Sequence, residues 1–268
     1  IIFKLSTLLI KTKFFRFIFF RISEVVNLNI QNQKNVNLKF YVNNYLNKFR
    51  CETLLSKEPD TIEWINQFKN KEIFFDIGAN IGLYSCYAAS KGIKTFSFEP
   101  SVYNLELLAK NIYLNSLSEK IVIIPLPLFD NLATKSFHMS TRERGGAFSN
   151  FGASTDHEGK QMTSVFKYKT VGMSIDQTIN NLNLKMPNYI KMDVDGIEHL
   201  IIKGANKAIQ NVESILIEVN DDYIKQSKEI NEHLNSLGFK LKEKKHSEII
   251  EKSSKFSSFY NQIWVKDN

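Results

Sequence analysis

Apolar and polar positions change rhythm near residue 73 of this 268-residue chain. From there, short apolar runs alternate with stretches of helical period. The runs predict strands over 73–77, 94–98, 121–124, 188–193 and 214–219, each too short for a typical helix and bounded by turn residues. Helices are expected after Gly82, after Pro100, over 197–210 and over 222–237. A βαβα alternation of this kind implies a parallel sheet with helices on its faces. Segments 239–244 and 259–265 predict two closing strands that form a hairpin.

Two regions break the rhythm. Residues 31–72 are rich in Asn and Lys with scattered Leu and Tyr and a single Trp64, and predict helices and loops leading into the core domain. Between Pro125 and Asn188, residues 130–170 read as an irregular insertion, with strand-like pieces at 135–139 and 165–171. An insertion of that length in an α/β domain is usually functional, and Arg142, Arg144, Gly145 and Gly146 place it as a cover over an acceptor pocket. The chain thus divides into a basic N-terminal extension, 1–70, and a domain over 71–268.

Charge changes the picture at the ends. The net charge of +7 is compatible with nucleic acid, acidic glycans or a membrane surface, but it is spread. Part sits in Lys4, Lys11, Lys13, Arg16 and Arg21, and part in Lys240, Lys242, Lys244 and Lys245. Residues 1–30 interleave these cations with Phe14, Phe15, Phe17, Phe19 and Phe20, so no apolar run nears the roughly 20 residues that span a bilayer. A basic amphipathic segment like this either lies in a membrane interface or packs on the domain or on a second copy in a homodimer. No secretory signal is evident, and a cytoplasmic enzyme, peripheral at the inner membrane face if residues 1–30 bind lipid, is the expectation. The sequence opens on Ile1 rather than Met, as a trimmed chain or a fragment would. Two cysteines, Cys51 and Cys86, form neither a metal cluster nor a disulfide framework.

Candidate chemistry gathers at the strand ends. Phe74-Phe75-Asp76-Ile77-Gly78-Ala79-Asn80-Ile81-Gly82 is a strand running into a glycine turn, and Phe96-Ser97-Phe98-Glu99-Pro100 is the next strand ending in an acid. Gly78 and Gly82 let backbone approach a ligand, with small Ala79 and Asn80 between them. Glu99 falls 23 residues after Asp76, close to the spacing at which a second-strand acid meets ribose hydroxyls. The glycines read G-x-x-x-G rather than the G-x-G-x-x-G of dinucleotide sites, which favours S-adenosylmethionine over NAD. Asp76 is then suited to the amino-acid ammonium, and the following helix N-terminus to the carboxylate. On the fourth strand, Asp193 and Asp195 sit two apart and so share a face if the strand continues. Mutual repulsion would make one of them a better base. Asp193, at the strand end, is the favoured functional acid and Glu218, ending the fifth strand, a second base, whereas Asp195 reads equally as a cap for the next helix and Glu198 more so. A divalent ion held by Asp193, Asp195 and Glu218 is conceivable, with a metal-free site preferred.

Four blocks carry a family resemblance: Phe75-Asp76-Ile77-Gly78-Ala79-Asn80-Ile81-Gly82-Leu83-Tyr84-Ser85; Phe98-Glu99-Pro100 with Asn104 and Leu107-Leu108; Ile190-Lys191-Met192-Asp193-Val194-Asp195-Gly196-Ile197-Glu198 with Lys203-Gly204-Ala205; and Ile215-Leu216-Ile217-Glu218-Val219. Over about 70–266 the chain resembles the FkbM-type S-adenosylmethionine-dependent methyltransferases, with Asp195 standing where the family usually has Glu. The resemblance implies an α/β class I methyltransferase fold, Rossmann-like and doubly wound, with a mostly parallel seven-stranded sheet whose last strand is reversed. It implies cofactor contacts from Asp76, Gly78, Ala79, Asn80, Gly82, Glu99, Pro100 and, near the adenine, Asp130, whose other reading is an Asx turn before Asn131. It also implies O-methylation of a sugar, glycan or lipid-linked small-molecule acceptor. Two rivals remain open, a nucleic-acid methyltransferase and a non-catalytic nucleoside-binding scaffold. The first lacks an N-P-P-[YF] motif, a Cys-based pyrimidine motif and an RNA-binding module, so no nucleic-acid partner is expected.

Overall fold

A computed structural model of the chain describes residues 28–33, 36–152, 159–246, 251 and 257–266. Its centre is a seven-stranded sheet. Strands β3 (Ile73–Ile77), β4 (Lys94–Phe98), β5 (Ile121–Ile124), β9 (Tyr189–Met192) and β10 (Ser214–Asn220) run parallel, and β11 (Phe239–Lys245) and β12 (Phe259–Lys266) close one edge. The order is β11-β12-β10-β9-β3-β4-β5, with β12 antiparallel to both neighbours. The sheet is therefore mixed, with one reversed strand. The chain winds outward from β3 through β4 and β5, then returns to β9 on the other side, so the switch point lies between the C-terminal ends of β3 and β9.

The strands of the predicted core fall within a residue or two of their expected limits because they are buried on both faces. Every residue of β3 and of β9 is buried. Alternation within β3 sends Phe75 and Ile77 to one core and Phe74 to the other. The helices are α3 (Leu83–Ser90), α4 (Val102–Leu114), α5 (Ile175–Leu182), α6 (Glu198–Lys203), α7 (Asn206–Ile209) and α8 (Ile224–Ser236). The single helix expected over 197–210 is two. It breaks at Gly204, where a Cβ would come within 2.6 Å of the Ser174 side chain and 2.7 Å of the Phe129 carbonyl, so helix α6 packs closer than a continuous helix would permit.

Two corrections concern the flanks. The irregular insertion is a three-stranded antiparallel sheet, β7-β6-β8, made of β6 (Ala133–Met139), β7 (Ser149–Phe151) and β8 (Phe166–Gly172). Two of these match the strand-like pieces, and the short β7 was not anticipated. The N-terminal region is not only helix and loop: β1 (Leu28–Gln33) and β2 (Val36–Tyr41) pair as an antiparallel hairpin before α1 (Tyr45–Glu52) and α2 (Pro59–Asn66). Leu38 and Phe40 are buried while Asn37 and Lys39 are exposed, a period of two hidden by the Asn and Lys content.

The boundary near residue 70 does not divide the core. Leu38, Phe40, Leu54, Ile62, Trp64 and Ile65 share one apolar cluster with residues of β3, α3, β9 and β10. Phe68 stacks on Tyr189 with ring centroids 3.8 Å apart, and Trp64 Nε1 donates to Ser214 Oγ at 2.9 Å. Both cysteines are buried free thiols, and burial pushes Cys51 up to about 12. No helix among the described residues is long and apolar enough to cross a membrane. The Phe-rich segment expected to contact membrane lies almost wholly outside the described residues.

Candidate active site

The residues after β3 turn with Gly78 at φ +85°, Asn80 at +51° and Gly82 at +84°. The Gly78 and Ala79 amides both donate to the Phe98 carbonyl at 3.0 Å, tying the turn to the end of β4. A Cβ on Gly78 would stand 1.8 Å from the Asp193 carbonyl, so only glycine lets β3 and β9 meet this closely at the switch point. Gly82, in left-handed conformation, is the N-cap of α3. Asn80, Phe148 and Asp195 are non-glycine residues with positive φ, and all three border the same cavity. Strained backbone concentrated in one place is a mark of a functional site.

Two cavities that share Gly78, Asn80 and Ala147 open there. The smaller, about 60 Å³, lies over the ends of β3, β4 and β5 and is bordered by Gly78, Asn80, Glu99, Pro100, Leu126 and Ile197, among others. Glu99 is buried. One of its carboxylate oxygens accepts from the Asn80 amide at 2.8 Å and the other from the Ser101 amide at 2.7 Å. Burial pushes Glu99 up to about 7 despite those amides. Asn80 Oδ1, on the wall of this cavity, is buried with no hydrogen-bond partner among the described residues. An unmet polar atom beside a carboxylate suits the hydroxyls and amine of a nucleoside, and S-adenosylmethionine fits this donor and acceptor set.

The larger cavity, about 270 Å³, shares Asp193 and Asp195 with the smaller and adds Arg50 of α1, Lys57 and Glu58 ahead of α2, Tyr84 of α3, and the strand-end residues Lys191 and Glu218. Lys191 is 1 % exposed and donates to Asp193 Oδ2 at 2.8 Å. Its Nζ also lies 5.0 Å from the Tyr84 ring centroid. Burial alone would lower Lys191, but the carboxylates of Asp193, Glu58 and Asp76 outweigh it and hold it above the usual lysine range. Asp195 Oδ2 accepts from the amides of Phe148 at 2.6 Å and Ser149 at 3.3 Å, and burial, then the charge of Asp193, raises it to about 6. Burial, followed by the charge of Asp193, also raises Glu218 well above the normal carboxylate range.

Asp193, Asp195 and Glu218 each place an oxygen within 4.8 Å of one another. Lys191 and Lys57 stand against this group, supplying counter-charge from the protein itself. Glu198 is a brace rather than the helix cap that was expected, since α6 has no side-chain cap and the Glu198 carboxylate reaches back to the turn before it. It accepts from the Val194 amide at 2.9 Å, from the Gly196 amide at 3.0 Å and from Gln226.

Other predicted residues lie elsewhere. Asp76 faces the opposite side of β3 from Ile77, where it accepts from Ser85 Oγ of α3 and does not border either cavity. Asp130 also lies off the walls, its Oδ1 accepting from Asn131 Nδ2 at 2.6 Å, while Leu126, Pro127 and Leu128 border the smaller cavity. Of the glycine and arginine loop, Gly146, Ala147 and Phe148 reach the cavities, whereas Arg144 pairs with Glu106 of α4 at 2.7 Å. His138 bonds Ser164 Oγ at 2.8 Å, and His157 is outside the described residues.

The Methyltransferase FkbM domain matches residues 76–241. The chain belongs to the FkbM methyltransferase family. It is 26 % identical over 167 residues to hexuronic acid methyltransferase AglP of Haloferax volcanii, covering 62 % of this chain and 64 % of AglP. It is 29 % identical over 159 residues to methyltransferase sdnD of Sordaria araneosa, covering 49 % of this chain and 60 % of sdnD. The chain thus spans less than two thirds of the length of each of these relatives. A Streptococcus mutans protein described as a SAM-dependent methyltransferase superposes with TM-score 0.51 at 10 % identity, covering 89 % of this chain and 55 % of that one. That likeness and the strand order give the FkbM domain the class I methyltransferase fold, and its cofactor is S-adenosylmethionine.

Arg50, Lys57, Glu58 and Tyr84 went unassigned in the sequence. The first three precede the matched domain, and no local pattern marks them. Lys191 did leave a signal, as the one charge in an otherwise apolar buried strand.

Proposed function

We propose that the protein is an S-adenosylmethionine-dependent O-methyltransferase acting on a hydroxyl of a sugar, glycan or glycolipid-type acceptor. When bound, S-adenosylmethionine supplies a sulfonium methyl whose transfer to oxygen returns the carbon–sulfur pair to sulfur and requires that the oxygen lose its proton. The residues that would hold it are Gly78, Ala79, Asn80, Glu99 and Pro100, with the acceptor in the larger cavity.

One observation carries the assignment of the base. Among the described residues the Glu218 carboxylate has no hydrogen bond or ion pair, yet it borders the larger cavity, whereas Asp193 is held by Lys191 and Asp195 by two amides. An unengaged carboxylate with raised proton affinity suits the removal of a hydroxyl proton. Asp193 then orients the site and Asp195 fixes the Phe148 turn. A polar wall of acids with the half-buried Arg50, together with the similarity to a hexuronic acid methyltransferase, supports a sugar acceptor over nucleic acid. The test offers labelled S-adenosylmethionine with neutral sugars, uronic acid glycosides and tRNA to the wild type and to Glu218→Gln. Labelling of a sugar, reduced at least about a hundredfold in the variant, supports the proposal. Labelling of tRNA alone, or an unaffected variant, overturns it.

A further inference from the structure

Three basic side chains border the larger cavity, Arg50, Lys57 and Lys191. Two of them are paired with acids of the same cavity, Lys57 with Glu58 at 2.9 Å and Lys191 with Asp193 at 2.8 Å. Arg50 is held differently. Its Nε donates to the Gly145 carbonyl at 2.8 Å, and among the described residues its two Nη groups have no hydrogen bond or ion pair. Asp195, an acid on which its charge acts, is bound instead by the Phe148 and Ser149 amides. A half-buried guanidinium thus borders the cavity with both Nη groups unused.

The tether fixes that group. Arg50 lies in the last turn of α1, and the carbonyl it bonds belongs to a loop pinned from two sides. The Gly145 amide donates to Asn104 Oδ1 of α4 at 2.8 Å, and the Gly146 carbonyl accepts from Asn80 Nδ2 at 2.9 Å and Asn104 Nδ2 at 3.2 Å. With Nε occupied, the part of the fork that remains is the pair of Nη groups, which matches the two oxygens of a carboxylate. Leu46 and Phe49 of α1 line the same cavity, and apolar neighbours strengthen a charge pair by excluding water. Asp195 and Glu218 would oppose any added anion, so the single charge of a carboxylate suits this cation better than the double charge of a phosphate. Arg50 does not border the smaller cavity, where Glu99 and Asn80 suit the nucleoside half of the cofactor.

We propose that Arg50 is a specificity-determining residue, delivered by α1 from outside the matched domain at 76–241, whose Nη groups receive a carboxylate carried by the acceptor. The inference deepens the proposed function by naming an acidic sugar as the acceptor class, and it rests on the larger cavity receiving the acceptor. Arg50 takes up no proton and meets no reacting atom. It selects the acceptor by charge and by the fork geometry, and holds it in one orientation.

The test is calorimetric titration of methyl glucuronide, and of its neutral counterpart methyl glucuronamide, into the full chain saturated with S-adenosylhomocysteine, as wild type, Arg50→Gln and Arg50→Lys. Wild type is expected to bind the carboxylate at least about tenfold more tightly than the amide. Arg50→Gln should bind both alike, with its affinity for the amide unchanged, and Arg50→Lys, which keeps the charge without the fork, should fall between. Wild type that binds the two sugars alike or binds neither, or Arg50→Gln that keeps the full preference, overturns the inference. So does a fall of about tenfold in S-adenosylhomocysteine affinity in Arg50→Gln with the sugar preference intact, which would give the guanidinium to the cofactor's own carboxylate. If Arg50→Gln does not fold, Arg50→Lys decides: a reduced preference supports the inference and an unchanged one overturns it. If no form transfers label to any sugar, the O-methyltransferase reading fails, while the binding preference still decides the role of Arg50.

Discussion

Replacing Lys191 with Met removes one buried charge while keeping chain length and apolar volume. The ammonium is 1 % exposed, bonds Asp193 at 2.8 Å, and lies among Glu58 and Asp76 as well. Breaking a fully buried pair by deleting one partner costs about 3–5 kcal/mol. The Asp193 side chain is 28 % exposed, so water recovers part of that loss, leaving about 2–4 kcal/mol. The cost depends on pH. Lys191 lowers the proton affinity of Asp76 and Glu58, and without it those carboxylates take up protons more readily in the folded state. Protonation relieves the uncompensated charge, so the loss is largest where they are ionised, near pH 8, and smaller near pH 5. Urea unfolding of wild type and variant at pH 5, 6.5 and 8 measures it. A difference that is the same at all three values, or below about 1 kcal/mol at pH 8, would refute the view that Lys191 is the electrostatic anchor of this site.

Two further substitutions probe the scaffold. Gly78→Ala is expected to cost about 2–5 kcal/mol in denaturant unfolding, since φ is +85° and the new Cβ would lie 1.8 Å from the Asp193 backbone oxygen; a loss under about 1 kcal/mol would contradict the close approach of β3 and β9. Glu198→Ala strips the brace from the Val194 and Gly196 amides and from Gln226, a loss of about 3 kcal/mol. Burial raises Glu198 from 4.5 to about 7, so its contribution is fully present below about pH 4.5 and is lost as pH rises to about 7; thermal melts at pH 4.5 and pH 8.5 should show the larger difference at pH 4.5.

Much of the fold was legible because its strands are short, apolar and buried on both faces, a pattern that survives without any tertiary knowledge. The Gly78 turn was legible because close backbone approach demands glycine at that point, and Glu99 because an acid closes the second strand at a fixed spacing from the first. Side-chain direction was harder to read. Asp76 stands two residues from Gly78, but the pleat turns its carboxylate under α3 toward Ser85, and the turn after β5 brings Leu126, Pro127 and Leu128 rather than Asp130 to the cavity. Asp193 and Asp195 do meet, but through a left-handed turn at Asp195 rather than a continued strand. The cations at the site came from contacts far apart in sequence. Lys57 and Arg50 gain their place only when the N-terminal helices pack on the sheet, and no spacing rule reports that.

Calorimetric titration of S-adenosylmethionine into wild type and Glu99→Ala at pH 6 and pH 8 tests the central claim most directly. Ribose hydroxyls donate to an ionised carboxylate, and Glu99 sits at about 7 in the free protein, so wild-type affinity should rise between pH 6 and pH 8. Glu99→Ala should bind at least about tenfold more weakly and lose that pH dependence. No binding to folded wild type, or equal binding by the variant at both pH values, would contradict the placement of the cofactor at the ends of β3 and β4.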